Sequence, residues 1–269
     1  LFLTLGFFYV SFGLYLFIDN PLRNLIAVTI FLFSIKYLHT RQFFLFFLVF
    51  LLSFSFHFSA LIVLIFYFTL NKNLSSTTWI ILFIASSFFS VLLKESFISQ
   101  ILNLFGQNEF IGQKIGFYFD SRNHLDSSFF SLGSLLKVLF FVLILRSRNR
   151  MIDDHEYGYL IFNGAMLFFI INRFAASIEI LSRFQLYLTP FYCVAVIKSI
   201  SSFSLVSRKI YKLSLSMLIF LLLLREITTT YKYIPYTSYL FYLNEEIPFY
   251  ERSMYNFRMN PDKIPSNEE

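Results

Sequence analysis

Four stretches of this chain hold almost nothing but apolar side chains, and no soluble fold can absorb them. Phe43–Phe56, Trp79–Leu93, Leu135–Leu145 and Leu213–Leu224 carry a single ionisable side chain between them, Lys137. The apolar residues come as continuous blocks rather than at the spacing of one helix face. In water such blocks would expose more apolar surface than a soluble protein tolerates. In a bilayer a helix pairs its own backbone groups, and the blocks become spans. Composition agrees: 57% of residues are hydrophobic and 14% charged, where a soluble domain carries about a quarter charged residues.

Other classes fall away quickly. The net charge of +6 could suit a nucleic-acid partner, but the basic residues sit in short loops between apolar runs, where they set topology. The single cysteine, Cys193, lies inside an apolar run, so no intrachain disulfide can form and no metal cluster is expected. The first run lacks the basic start and small-residue cleavage site of a signal peptide. Phenylalanine supplies 40 residues, either as a stacking surface for sugar or lipid or as lipid-facing filler in place of leucine. The chain begins at Leu1 within an apolar run and without methionine. That reads as a fragment or a displaced start, with further helices expected ahead of it.

A spanning helix needs about 20 largely apolar residues. Candidates are Leu1–Ile18, Leu22–Leu38, Phe43–Leu70, Trp79–Leu93, Phe129–Leu145, Tyr157–Ile171, Phe184–Ile197 and Ile210–Leu224. The expected fold is an all-α, polytopic membrane helix bundle of about seven to nine segments with one long external loop, Lys94–Ser128. A transmembrane domain covers residues 1–224, and a polar, tyrosine-rich tail covers 225–269. Arg146, Arg148 and Arg150 crowd one short loop, the strongest internal signal in the chain. Counting from it, Lys94–Ser128 and Asn172–Ser182 are external, while Lys198–Lys209, Asn71–Thr78 and Lys36–Gln42 are internal. Phe43–Leu70 then lies between two internal loops, so it enters and returns as a hairpin with Ser55, His57 and Ser59 near its turn. One tilted helix is the alternative, and it would invert everything before residue 71.

On that topology polar residues gather at the outer surface. Arg23 starts one helix, Arg173 and Arg183 flank a short loop, and Lys114, Tyr118 and Arg122 lie in the long loop. Outer arginines run against the positive-inside preference, but they suit an anionic ligand such as a diphosphate, which a guanidinium binds bidentately. His57, in an otherwise apolar hairpin, needs a partner or a wet cavity. Either it is a buried histidine satisfied by Ser55 or Ser59, or it takes part in proton transfer.

These residues carry a resemblance. Leu22-Arg23-Asn24-Leu25-Ile26-Ala27, then Phe56-His57-Phe58-Ser59-Ala60-Leu61, then Ser182-Arg183-Phe184 with Tyr187, then Ile234-Pro235-Tyr236 resemble the EpsG family over nearly the whole chain. That family stands with the Wzy-type polymerases of bacterial exopolysaccharide, capsule and O-antigen. The resemblance implies a multi-pass protein of the bacterial inner (cytoplasmic) membrane, a metal-independent glycosyltransferase without cofactors. It would join oligosaccharide repeat units carried on undecaprenyl diphosphate at the outer face. Carried over, the catalytic residues fall on His57, Arg23 and Arg183. Ser59, Lys114, Tyr118, Arg122, Arg173 and Tyr187 would bind substrate. Expected partners are the lipid-linked oligosaccharides, the bilayer and a chain-length regulator, with no nucleic acid. The family also implies missing amino-terminal helices, and Asn24 departs from its usual glutamine. An O-antigen ligase, or a membrane acyltransferase modifying a surface glycan, is the competing expectation.

Overall fold

Backbone pairing within the chain is local: every described element is helical. The structure, a computed structural model, describes residues 2–13, 22–105, 131–175 and 180–229. α1 (Phe2–Phe8) continues into a wide π turn, and α2 (Leu22–His39) leads to α3 (Phe43–Phe56). A 3-10 turn (Phe58–Leu61) leads into α4 (Ile62–Thr69), followed by α5 (Ser76–Phe105), α6 (Leu132–Arg146) and the short α7 (Arg148–Asp153). Next come α8 (Gly158–Ala175), α9 (Ile180–Gln185), α10 (Thr189–Lys198) and α11 (Leu205–Thr229). The helix starts use side-chain caps that satisfy otherwise orphaned amides. Ser75 accepts from the Thr78 amide at 3.0 Å, Ser131 from Ser134 at 3.2 Å, and the His155 Nδ1 from Tyr157 at 3.1 Å.

The chain forms two compact units, Leu1–Lys209 and Ile210–Glu269. In the first, α8 is the central helix, with α5, α9 and α10 packed on it. α2 and α3 form the most extensive pair. Aromatic rings fill this core: Phe168 stacks on Tyr192 at 4.2 Å, and Phe31 lies 5.8 Å from Tyr187 and 5.9 Å from Phe66. Phenylalanine is therefore not filler alone. Phe46, Phe162, Phe168 and Phe169 are buried, while Phe33, Phe44 and Phe88 stand fully outward. By length and composition one described helix, Gly158–Ala175, is long and apolar enough to cross a membrane.

α8 and α10 approach closely because Gly164 has no side chain. A Cβ there would meet Cγ of Phe191 at 2.6 Å and its Cβ at 2.7 Å, the root of the ring rather than a movable tip. Small residues at such crossings let helix backbones approach. Gly164→Ala is expected to destabilise the protein by about 1–3 kcal/mol, read as a lower melting temperature in detergent. An unchanged melting curve would show that the two helices separate freely.

Phe43–Leu70 folds back on itself as the hairpin reading expects, rather than running as one tilted helix: the amino end of α3 and the carboxyl end of α4 meet. The Arg41 guanidinium donates to the Tyr67 carbonyl and the Tyr67 hydroxyl donates to the Arg41 carbonyl, both at 3.0 Å. Arg41 itself takes a left-handed turn (φ 59°), a conformation that costs a side-chain-bearing residue roughly 1 kcal/mol and brings the chain sharply back from α2. Two other expectations from the sequence are corrected. The polar segment starting at Lys94 does not begin as a loop, because α5 runs on to Phe105. Its Phe97, Ile98, Ile101, Leu102 and Phe105 continue a helical apolar spacing past the end of the apolar block. Finally, Phe184–Ile197 is two helices. Pro190 sits in the first turn of α10, lacks the amide that would continue α9, and so separates the two. α11 runs unbroken from Leu205 through Thr229.

Loops read as internal converge at one end of the first unit. His39 lies 3.5 Å from Glu156, and Asn71 donates to the Leu38 carbonyl at 2.7 Å. Arg148 donates to Asn73 at 2.7 Å and to the Leu74 carbonyl, and Arg150 donates to the Ser201 carbonyl at 2.6 Å. Asn163 clasps the hairpin base, donating to the carbonyls of Leu70 and Lys72 at 2.6 and 2.7 Å.

Candidate active site

The far end of the hairpin is built on a backbone break. α3 stops at Phe56, and His57 adopts an extended conformation (φ −152°, ψ 129°) before the 3-10 turn begins. A break in an apolar segment strands polar backbone groups, so it needs local partners. His57 supplies one: its Nδ1 accepts the Ser59 amide hydrogen at 3.1 Å. The Ser59 hydroxyl also sits on Nδ1, at 2.6 Å. Of the two serines offered as partners for the histidine, only Ser59 serves. Ser55 turns back to donate to the Leu52 carbonyl.

A second break meets the first. Between α9 and α10 the chain makes a tight turn through Leu186–Leu188, with the Leu188 amide donating to the Gln185 carbonyl at 2.9 Å. Tyr187 in that turn is fully buried, and its hydroxyl lies 3.3 Å from the Ser59 hydroxyl. Ser53, on α3, donates its hydroxyl to the Ala27 carbonyl of α2 at 2.8 Å. Tyr187, Ser59 and His57 thus tie the α9–α10 turn to the 3-10 turn, and the Ser53–Ala27 bond ties α3 to α2. α9 also packs on the 3-10 turn.

This frame brings the three residues carried over as catalytic into one neighbourhood. The guanidinium groups of Arg183, on α9, and Arg23, in the first turn of α2, both act electrostatically on the His57 imidazole. Arg23 is exposed, and Arg183 and His57 are half-buried. Arg23 lies one turn before Ala27 on the same side of α2, and the Ser53–Ala27 bond fastens that part of α2 to α3. Asn24, beside it, is fully buried with neither atom of its amide hydrogen-bonded.

The remaining expected site residues divide. Ser59 and Tyr187 are buried, at 4% and 0% exposure, behind the imidazole; the surface either could offer a substrate directly is negligible. Arg173 is buried at the carboxyl end of α8, with its guanidinium 4.9 Å from the Phe83 ring centre and within electrostatic range of Lys137. Its neighbour Asn172 donates to Gln185 at 3.2 Å. Lys114, Tyr118 and Arg122 lie outside the described residues. Among the described residues no three of His, Cys, Asp and Glu stand together. The break at Leu186–Leu188 and the orphaned amide of Asn24 were not legible as site features. Pro190 was the one available signal for the break.

Chemically, two guanidinium groups acting on a half-buried imidazole suit an anionic ligand, which a guanidinium can bind bidentately. The family model described as the EpsG family matches residues 1–238. No curated protein and no solved structure matches the chain.

Proposed function

The chain belongs to the EpsG family, a family of polysaccharide biosynthesis, and from that premise we propose that it is a membrane polysaccharide polymerase. It joins oligosaccharide repeat units carried on undecaprenyl diphosphate at the outer face of the bacterial cytoplasmic membrane. The observation that carries the reading is the meeting of Arg23, Arg183 and His57 at the end of the bundle away from the clustered basic loops. Under the positive-inside preference those loops are cytoplasmic, which puts the anion pocket on the side where lipid-linked repeats are polymerised.

The membrane arrangement that fits is about seven crossings and one re-entrant hairpin. α3 has 14 residues, a rise of about 21 Å, against a hydrocarbon core of about 30 Å. Neither limb of the hairpin crosses alone. The hairpin enters from the cytoplasmic side and lifts His57 toward the outer half. Irregular backbone at that depth is tolerated where it is buried in protein or lines a wet cavity, and broken helices that meet at such a depth build substrate sites in other membrane proteins.

In the reaction the bond between the anomeric carbon and the diphosphate breaks, and the acceptor hydroxyl oxygen bonds that carbon and loses its proton. Arg23 and Arg183 stabilise the charge that grows on the departing diphosphate. His57 acts at the same centre, as base or as an orienting donor. Lys114, Tyr118 and Arg122 line the path of the glycan. A chain-length regulator is the expected protein partner.

The experiment is the length distribution of surface polysaccharide and of its lipid-linked precursors in cells lacking the gene. Collapse of long chains to single repeats, with repeat synthesis continuing, is expected. Full-length polymer persisting on its lipid carrier would instead identify a ligase, and loss of a substituent at unchanged length an acyltransferase.

A further inference from the structure

The hydrogen bonds around His57 decide which of its nitrogens holds the proton. A hydroxyl can rotate to donate or accept, so the Ser59 hydroxyl at 2.6 Å from Nδ1 leaves the matter open. A backbone amide can only donate. The Ser59 amide hydrogen points at Nδ1 from 3.1 Å, as the cap of the 3-10 turn. A proton on Nδ1 would face that amide hydrogen head-on, so Nδ1 presents its lone pair and the neutral ring carries its proton on Nε2. The Ser59 hydroxyl can then give Nδ1 a second donor. Tyr187, fully buried with its hydroxyl 3.3 Å from that of Ser59, holds that hydroxyl in place.

Resting on the polymerase reading, we propose that His57 is a hydrogen-bond donor through Nε2 to the lipid diphosphate rather than the base for the acceptor, with Ser59 and Tyr187 as positioning residues. A base needs a lone pair on the nitrogen that meets the substrate, and here the lone pair is spent inward on the turn. Beside Arg23 and Arg183, an Nε2–H completes a set of donors for one anion. When the anomeric carbon–oxygen bond breaks, its electron pair leaves on the diphosphate oxygen. His57 keeps its proton throughout, and the acceptor hydroxyl gives its own to the departing diphosphate. A phosphate that titrates near pH 6 is basic enough to take it.

The test compares His57→Gln with His57→Asn in membranes supplied with lipid-diphosphate-linked repeat units. The glutamine amide nitrogen reaches about where Nε2 lies and donates, whereas the asparagine amide reaches only the position of Nδ1. Elongation within roughly tenfold of wild type is expected for glutamine, and a loss of about 10²–10³ for asparagine. Equal inactivity of both, at wild-type protein levels, overturns the proposal in favour of a base. If the wild-type protein elongates nothing, the polymerase reading fails on its own. The tautomer is then decided by nitrogen-15 resonance of the full chain labelled at histidine, with His57→Gln identifying the signal. An unprotonated Nδ1 is expected, and a protonated Nδ1 overturns the proposal. Tyr187→Phe leaves the Ser59 amide in place, so it should keep the tautomer but shift the Nδ1 resonance as the Ser59 hydroxyl loosens, and cut turnover roughly two- to tenfold at unchanged KM. An unchanged spectrum would remove Tyr187 from the assignment.

Discussion

Arg183→Ala is expected to lower chain elongation by about 10²–10³, the cost of removing one donor aimed at developing charge. The replacement should leave the protein in the membrane at normal levels, because Arg183 is only half-buried on the short α9. Its charge acts on the His57 imidazole, so both groups can address one anion. Arg183→Lys separates charge from geometry. Lysine keeps the charge but is a single point donor, without the planar fork that grips two phosphate oxygens. If the contact is bidentate, lysine recovers little of the loss. Full activity of the lysine variant, in a membrane assay with lipid-linked repeats, would sink the bidentate role. Arg23 is exposed and carried by α2 rather than by α9, so its alanine variant tests the second guanidinium that acts on His57.

The second large effect is on stability, at the other end of the hairpin. Asn163→Leu is expected to destabilise the fold by about 2–5 kcal/mol, because it strands two carbonyls at once. Asn163 is 1% exposed, and its amide nitrogen donates to both Leu70 and Lys72. Leucine matches its volume and offers no donor. The lost bonds are those that fasten the hairpin base to the central helix, so the variant should also loosen the placement of His57. Thermal unfolding in detergent reads the first effect and residual elongation the second. A melting temperature equal to wild type would mean that Arg41 and Tyr67 hold the base unaided.

Much of this organisation was legible in residue order. Apolar blocks such as Phe43–Phe56 and Leu135–Leu145 became helices with ends within a few residues of those expected. Transfer energy dominates there, and a helix is how an apolar chain pairs its backbone. The interruption at His57–Ser59 was visible because a histidine in an apolar run demands a partner. The shared end of the basic loops followed from charge alone. Less visible were the features set by neighbours. Hydropathy counts what each residue gains on leaving water, and it is blind to where a helix can afford to break. The turn at Leu186–Leu188 lies in an apolar run with only Pro190 to betray it. Tyr187, expected to meet substrate, is buried because the turn aims it at Ser59. Arg173 lies over the ring of Phe83, a contact between α8 and α5 that residue order does not show.

The sequence by itself determined an all-helical chain, the order of its segments, the family, and which charged side chains stand among the apolar runs, Arg23, His57 and Arg183 among them. It could do so because long apolar blocks leave a helix as the only economical backbone, and because charged residues among them are too costly to be incidental. Only the tertiary structure decided that the hairpin closes at Arg41 and Tyr67, that two helix breaks meet through Ser59 and Tyr187, and which nitrogen of His57 is turned inward. Those are matters of a single amide or hydroxyl finding its partner across the bundle. Such pairings are worth only a few kcal/mol each and join residues as far apart as Ser59 and Tyr187, a distance over which periodicity and composition carry no signal.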